Sequence, residues 1–351
     1  MPIMSRLKLT DELVEAPVLG GGGSMEEGRR IGHLAVSLSS LELIDLEDIN
    51  ENSVLINVSA VGAPSAKDAY AEPIHYLRAA ELVEKVASIK IDGIITNEAS
   101  GLATVNGWLQ TSILGIPAVD ALCNGIAPPT GMMRLYKDNN YLSIQAGIGG
   151  SKERSTFLEV VAIGSIESAS TIIRNAAVRA GVLVAVARNP VVAYYTKENA
   201  ALGAVKQAIN LGFEMIKSKE KGPIAVTNSI CNFLGGEIVT DGLVEKVDLV
   251  SKGGFDVGRV IIEDGYEITF WNEYMTLERL EKRIATFPDL IMTIDGDKGL
   301  PVTSAEVKSG QHILVIKVPK ENLKLGAGMK DPDLFKVCEE AVSKQIIKYV
   351  F

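Results

Sequence analysis

Two apolar runs, Ile91 to Thr96 and Ile116 to Val119, are joined by a helix-patterned stretch, and acidic residues follow them at Glu98 and Asp120. Strands linked through a helix pair in parallel, because a tight turn can join only antiparallel neighbours. In an open α/β sheet the ligand crevice lies at the carboxyl ends of the parallel strands. Asn97-Glu98 and Asp120 are therefore expected to converge on one cleft, with Asn124 nearby. Upstream, Gly20-Gly-Gly-Gly23-Ser24 precedes a helical pattern and is expected to reach the same edge.

The alternation extends beyond these two strands. Leu41 to Leu46 and Ser53 to Val61 read as strands, Ala71 to Ala87 and Gly107 to Leu114 as helices. Ser24-Met-Glu-Glu reads as a capping box opening a helix through Leu38. Farther on, Tyr141 to Ile148 and Thr156 to Ala162 suggest strands, Glu167 to Ala180 a helix, and Thr196 to Ile216 one long amphipathic helix. After Gly222 short β-type runs dominate, beginning with Ile224 to Thr227 and including Gly236 to Thr240, Val257 to Glu263, Tyr266 to Trp271 and His312 to Val318. The predicted fold is α/β: a mostly parallel sheet in an N-terminal domain, with a β-rich C-terminal domain. The expected boundaries are 1–165 for the α/β domain, 166–221 for a helical connecting region, 222–330 for the β-rich domain and 331–351 for a closing helix.

A length of 351 residues suffices for two cores, and 47% hydrophobic residues argue for a folded chain. The net charge of −9 and 5% aromatic content oppose a nucleic-acid surface, which needs cations and stacking rings. Cys123, Cys231 and Cys338 are widely spaced and show neither zinc nor disulfide spacing. Met1 to Glu15 does not read as a signal peptide, and no stretch approaches the roughly 18 apolar residues of a membrane span. We expect a cytoplasmic protein with no membrane or nucleic-acid partner.

The glycine run can cradle an anion on backbone amides or can serve as a tight connection. It lacks the Gly-Lys-Ser/Thr of a P-loop and the third glycine of a dinucleotide fingerprint. Gly21, Gly22, Gly23 and Ser24 are ligand-binding candidates, with Asn97 and Asn124. Glu98 and Asp120 are candidates for general base and acid or for metal ligands, or else helix or loop caps. Cys123 sits among carboxylates, which oppose a thiolate, so it reads as a small packing residue. Asn272-Glu273 follows an apolar strand and is a further ligand-binding candidate, or an ordinary surface pair.

Taken in order, these segments resemble the S-methyl thiohydantoin desulfurase family, whose members are often encoded beside hydantoinase and oxoprolinase proteins. The matching elements are Gly20 to Gly28, Val61-Gly-Ala-Pro64, Glu98 to Gly101, Leu114-Gly-Ile-Pro-Ala-Val-Asp120, Gly253-Gly-Phe255 with Gly258, Asn272-Glu273 and Pro288-Asp-Leu-Ile291. The resemblance implies a hydrolase acting on a cyclic thiohydantoin or hydantoin-type small molecule and releasing a thiol. It leaves a divalent metal cofactor open. Leu122, Ile126 and Thr130 stand where the family pattern carries Asp, Arg and Glu, and Ala103 stands for an Asn. Those departures imply a weak desulfurase, a changed substrate, or a non-catalytic partner of a hydantoinase-type enzyme. A homo-oligomer is expected.

Overall fold

The computed structural model describes residues 6–63, 65, 71–136, 141–153 and 155–351; Pro64 of the Val61 motif lies outside them. The first sheet takes β1 (Arg6–Leu9), β2 (Leu41–Ile44), β3 (Val54–Gly62), β4 (Gly93–Ala99), β5 (Ala118–Ile126), β6 (Ser143–Gly149), β7 (Leu158–Gly164), β8 (Leu183–Val192) and β9 (Ala201–Leu202). Its helices are α1 (Glu15–Gly21), α2 (Met25–Leu38), α3 (Pro73–Ala87), α4 (Ala103–Leu114), α5 (Ile166–Arg179), α6 (Ala193–Asn199) and α7 (Ala204–Ser218); α8 (Pro223–Leu234) follows. The second sheet contains β10 (Glu237–Lys252), β11 (Phe255–Ile262), β12 (Tyr266–Trp271), β13 (Glu273–Arg279), β14 (Lys282–Thr286), β15 (Leu290–Asp295), β16 (Pro301–Val302) and β17 (His312–Val318). The chain ends in α9 (Lys336–Val342) and α10 (Ile347–Val350). The two-domain α/β and β-rich architecture expected from the sequence is present.

Strand order in the first sheet is β1-β2-β5-β4-β3-β8-β6-β7, with β9 beside β5. β2, β5, β4 and β3 run parallel, and β8 joins β3 antiparallel. The parallel strands are buried on both faces, so they read as continuous apolar runs. α3 starts where Pro73 supplies the first-turn φ and Glu72 and His75 cap one another. α4 is buried nearly all round from Ala103 to Thr111, because it lies between the sheet and α2.

The second sheet is antiparallel throughout, in the order β14-β13-β12-β11-β10-β17-β15-β16. β10 pairs with β17 along its first half and with β11 along its second, and register shifts at Ile238/Thr240 and Val244/Lys246 accompany the change. Val244, Val260, Ile268, Phe270, Leu277 and Val315 share its core. A second cluster joins the domains: Leu19 of α1, Leu211 and Met215 of α7 and Ile230 of α8 pack with Leu314 and Ile316 of β17.

Several boundaries need correction. The 166–221 segment is not a helical connector, because β8 lies within it and occupies the middle of the first sheet. Asn189-Pro190 reads as a break in the sequence; the sheet absorbs it as a register shift opposite Leu55 and Asn57, with Asn189 at φ 54°. The long helix over 196–216 is interrupted by β9 and by Gly203 at φ 71°. Ile224 to Thr227 is helical rather than β, since Pro223 at the first position starts α8. The terminal segment is split by Ser343 at φ 53° instead of forming one closing helix.

Glycine sets the closest helix contact. A Cβ on Gly20 would lie 1.8 Å from the Ala208 carbonyl oxygen, and one on Gly212 would lie 1.8 Å from that of Ala16. α1 and α7 therefore meet backbone to backbone, and neither obstructing atom is a flexible side-chain end. Gly212→Ala is expected to lower unfolding stability by about 1–3 kcal/mol or more, as overpacking does. Gly164→Ala, whose Cβ would find Ser168 Cβ at 3.7 Å, should stay within about 0.5 kcal/mol. Denaturant unfolding of both variants checks the contrast.

Candidate functional site

A cleft of about 910 Å³ opens between the two domains. Its N-terminal wall includes Gly21 to Ser24, Ser59 of β3, Asn97 and Glu98 of β4, and the end of β5; Asn272 and Glu273 face it from the second domain. Arg174 of α5 and Arg188 of β8 also line it.

The first half of the glycine run is committed to a helix. Gly20 and Gly21 finish α1, and the Gly22 amide is taken by the carbonyls of Val18 and Leu19. Gly22, Gly23 and Ser24 then turn the chain at φ 65°, 67° and 45°. Ser24 makes no capping hydrogen bond, so the expected capping box is absent although α2 forms. Glu26 and Glu27 lie at the mouth beside this helix start, which disfavours an anion there.

Glu98 is positioned by a chain of asparagines crossing the parallel strands. Asn97 Nδ2 donates to Glu98 Oε2 at 2.6 Å, while Asn97 Oδ1 accepts from Asn57 Nδ2 at 3.0 Å and Asn124 Nδ2 at 3.3 Å. Asn124 is fully buried and does not line the cleft; it acts on the site through Asn97. Burial raises the Glu98 pKa, opposed by the Asn97 hydrogen bond and the charges of Arg188 and Arg174.

Asp120 does not share the cleft. β5 continues to Ile126, so Asp120 sits in mid-strand rather than at its end. It is 1% exposed and its Oδ1 accepts from the amides of Val205 at 2.9 Å and Lys206 at 3.2 Å. Asp120 caps the start of α7, and the expected convergence with Glu98 is corrected accordingly. Burial pushes its pKa up to about 6 against the pull of the Lys206 amide. Cys123, from the same strand, is buried, which pushes its thiol up to about 12.

The second carboxyl of the cleft is Glu273. Asn272 holds it there at φ 56°: the Asn272 side chain accepts from the Asp256 amide, its own amide donates to the Asp256 carbonyl, and Ser304 Oγ donates to its carbonyl. Burial pushes Glu273 up to about 8, and the negative charge of Glu98 adds to the effect. Unlike Glu98, its carboxyl has no compensating cation among the described residues.

The two arginines are absent from the sequence-level candidates. Arg188 is 4% exposed and donates to Ser59 Oγ. Arg174 donates to the carbonyls of Gly62 and Gly254 and lies over the Phe255 ring, 4.1 Å from its centroid. A lone charge inside the Val/Ala-rich run Leu183 to Val192 is the signal that marks Arg188. Among the described residues no three of His, Cys, Asp and Glu converge as metal ligands. Carboxyls accompanied by two guanidiniums do not fit a divalent cation.

The family model for the S-Me-THD-like N-terminal domain matches residues 18–145, and that for the S-Me-THD-like C-terminal domain matches residues 165–327. The chain belongs to this family, that of S-methyl thiohydantoin desulfurase. No curated protein matches it. A crystal structure of a protein from Chromobacterium violaceum, a structural-genomics target, is similar at 20% identity, with a TM-score of 0.73 over 95% of this chain and 96% of that one. That likeness is one of fold. Among the described residues no helix is long and apolar enough to cross a membrane.

Glu273 gives the cleft a measurable signature. Its folded pKa of about 8 lies above its ordinary value of 4.5. The stability it contributes is therefore complete below about 4.5 and is lost as pH rises to about 8. Wild type should lose on the order of a few kcal/mol relative to Glu273→Gln across that window. Denaturant unfolding of both proteins at pH 5, 6, 7 and 8 tests this; parallel curves would show that Glu273 is not desolvated.

Proposed function

We propose that the cleft binds a cyclic thiohydantoin and hydrolyses its exocyclic C–S bond, with Glu98 as general base and Glu273 as general acid. The observation that carries the reading is the unequal pair of carboxyls on opposite walls. Glu98 has an amide and two nearby guanidiniums that favour its anion, whereas Glu273 has only burial and a like charge. Two carboxyls whose surroundings differ in this way suit opposite roles in proton transfer. Family membership supports the substrate class.

Glu98 takes a proton from water as its oxygen joins the ring carbon bearing sulfur. Glu273 gives its proton to the adjacent ring nitrogen, and the C=N bond becomes single. The C–S bond then breaks as the new hydroxyl becomes a carbonyl. The hydroxyl proton returns to Glu273, and Glu98 passes its own to the departing thiolate. One water is consumed, one thiol and one hydantoin form, and both glutamates are restored. The departures at Leu122, Ile126 and Thr130 leave these groups in place. Leu122 is a core residue, and only Ile126 and Thr130 line the cleft.

Thiol release from S-methyl thiohydantoins is the assay. Glu98→Gln and Glu273→Gln should each slow it by about a hundredfold or more. Asp120→Asn, which keeps an acceptor for Val205 and Lys206, should change it little. In wild type kcat/KM should fall above pH about 8, where Glu273 loses its proton. Loss of activity in Asp120→Asn alone, or an unaffected Glu273→Gln, would defeat the assignment. Tight hydantoin binding without thiol release would favour a binding role.

A further inference from the structure

Arg188 and Arg174 pose a problem that the reaction does not resolve. Desolvated charges are normally paired, because leaving one unpaired is costly. Arg188 is 4% exposed and its Nε has no partner among the described residues. Its recorded bond is to an uncharged hydroxyl, that of Ser59, and those of Arg174 are to two backbone carbonyls. Neither guanidinium forms an ion pair among the described residues. Both line the cleft, and Arg174 feels the positive charge of Arg188. Glu98 is the carboxyl whose charge reaches both of them. One carboxyl thus serves two guanidiniums, and burial works against the charge of Glu98 as it does against that of Glu273.

Neither arginine is free to leave. Arg188 projects from a central strand, between Asn57 of β3 and Gln145 of β6 in register. Arg174 is fixed by Gly62, Gly254 and the Phe255 ring. A fixed, dehydrated and under-neutralised guanidinium pair is a receptor for a carboxylate, the planar partner that arginine matches best.

We propose that Arg188 and Arg174 form an anion subsite, and that the ligand is a thiohydantoin or hydantoin bearing a carboxylate substituent. The ring rests on the function proposed above; the anion subsite does not. The ring then lies between the two glutamates while its carboxylate reaches the arginines. A neutral hydantoin leaves the inner charges uncompensated and binds more weakly.

The test is calorimetric titration of the full chain at pH 7 with hydantoin-5-acetic acid, with its carboxamide and with succinate. The acid should bind about ten- to a hundredfold more tightly than the amide, the range of a charge-assisted hydrogen bond. Arg188→Gln should abolish that preference, and Arg188→Lys should keep part of it. Should Arg188→Gln fail to fold, the acid–amide comparison in the unaltered protein decides, with Arg174→Gln as the second variant. Equal affinity for acid and amide overturns the subsite and leaves the ring reading intact. Binding of succinate but of neither ring, lost in the arginine variants, supports the subsite and overturns the ring. Binding of none of the three overturns the subsite.

Discussion

The antiparallel pairing of β8 with β3 is the constraint on which the rest of the molecule depends. It ends the parallel half of the sheet and starts the antiparallel half. It also inserts Arg188 between Asn57 and Gln145, with β3 separating it from the strands that carry Asn97 and Asn124. A polar row thus runs through an otherwise apolar sheet. Such a row is costly unless its members satisfy one another. Asn57, Asn97 and Asn124 do so in part, by linked hydrogen bonds that end on Glu98, while Asn57 Oδ1 has no partner among the described residues.

Stability and chemistry draw on different parts of the chain. The helix contact at Gly20 and Gly212, the cap that Asp120 provides for α7 and the shared cluster around Leu314 hold the architecture together. Glu98, Glu273 and the arginines stand where burial works against their charged forms. Perturbed groups gathered in one cleft are what a working site requires and what a purely structural surface avoids. The N-terminal family model ends within β6 and the C-terminal one begins just before α5, yet α5 packs on the first sheet and β8 lies within it. The segments are therefore interleaved in space.

Much of this was readable from the residues. Apolar runs bounded by turn residues located β3, β4, β12 and β17, and helical periodicity located α3 and α5. Glu98 and Glu273 stood out because each follows apolar residues at a strand's end or beginning. Asp120 misled because Ala-Leu-Cys-Asn after it does not look like a strand, although the buried interior accepts it as one. Arg188 was hidden by Asn189-Pro190, whose local signal for a turn is overridden by the sheet. Pairing across the sheet depends on residues more than a hundred positions apart, as for Ser59 and Arg188, and local pattern carries no record of it.

The opposed placement of Glu98 and Glu273 ties the pair to the seam between the domains. Glu98 comes from the first sheet and Glu273 from the second, so neither sheet alone carries both carboxyls. The pair exists only where the two domains are docked through the apolar cluster around Leu314. Loosening that seam would dismantle the pair without altering either glutamate.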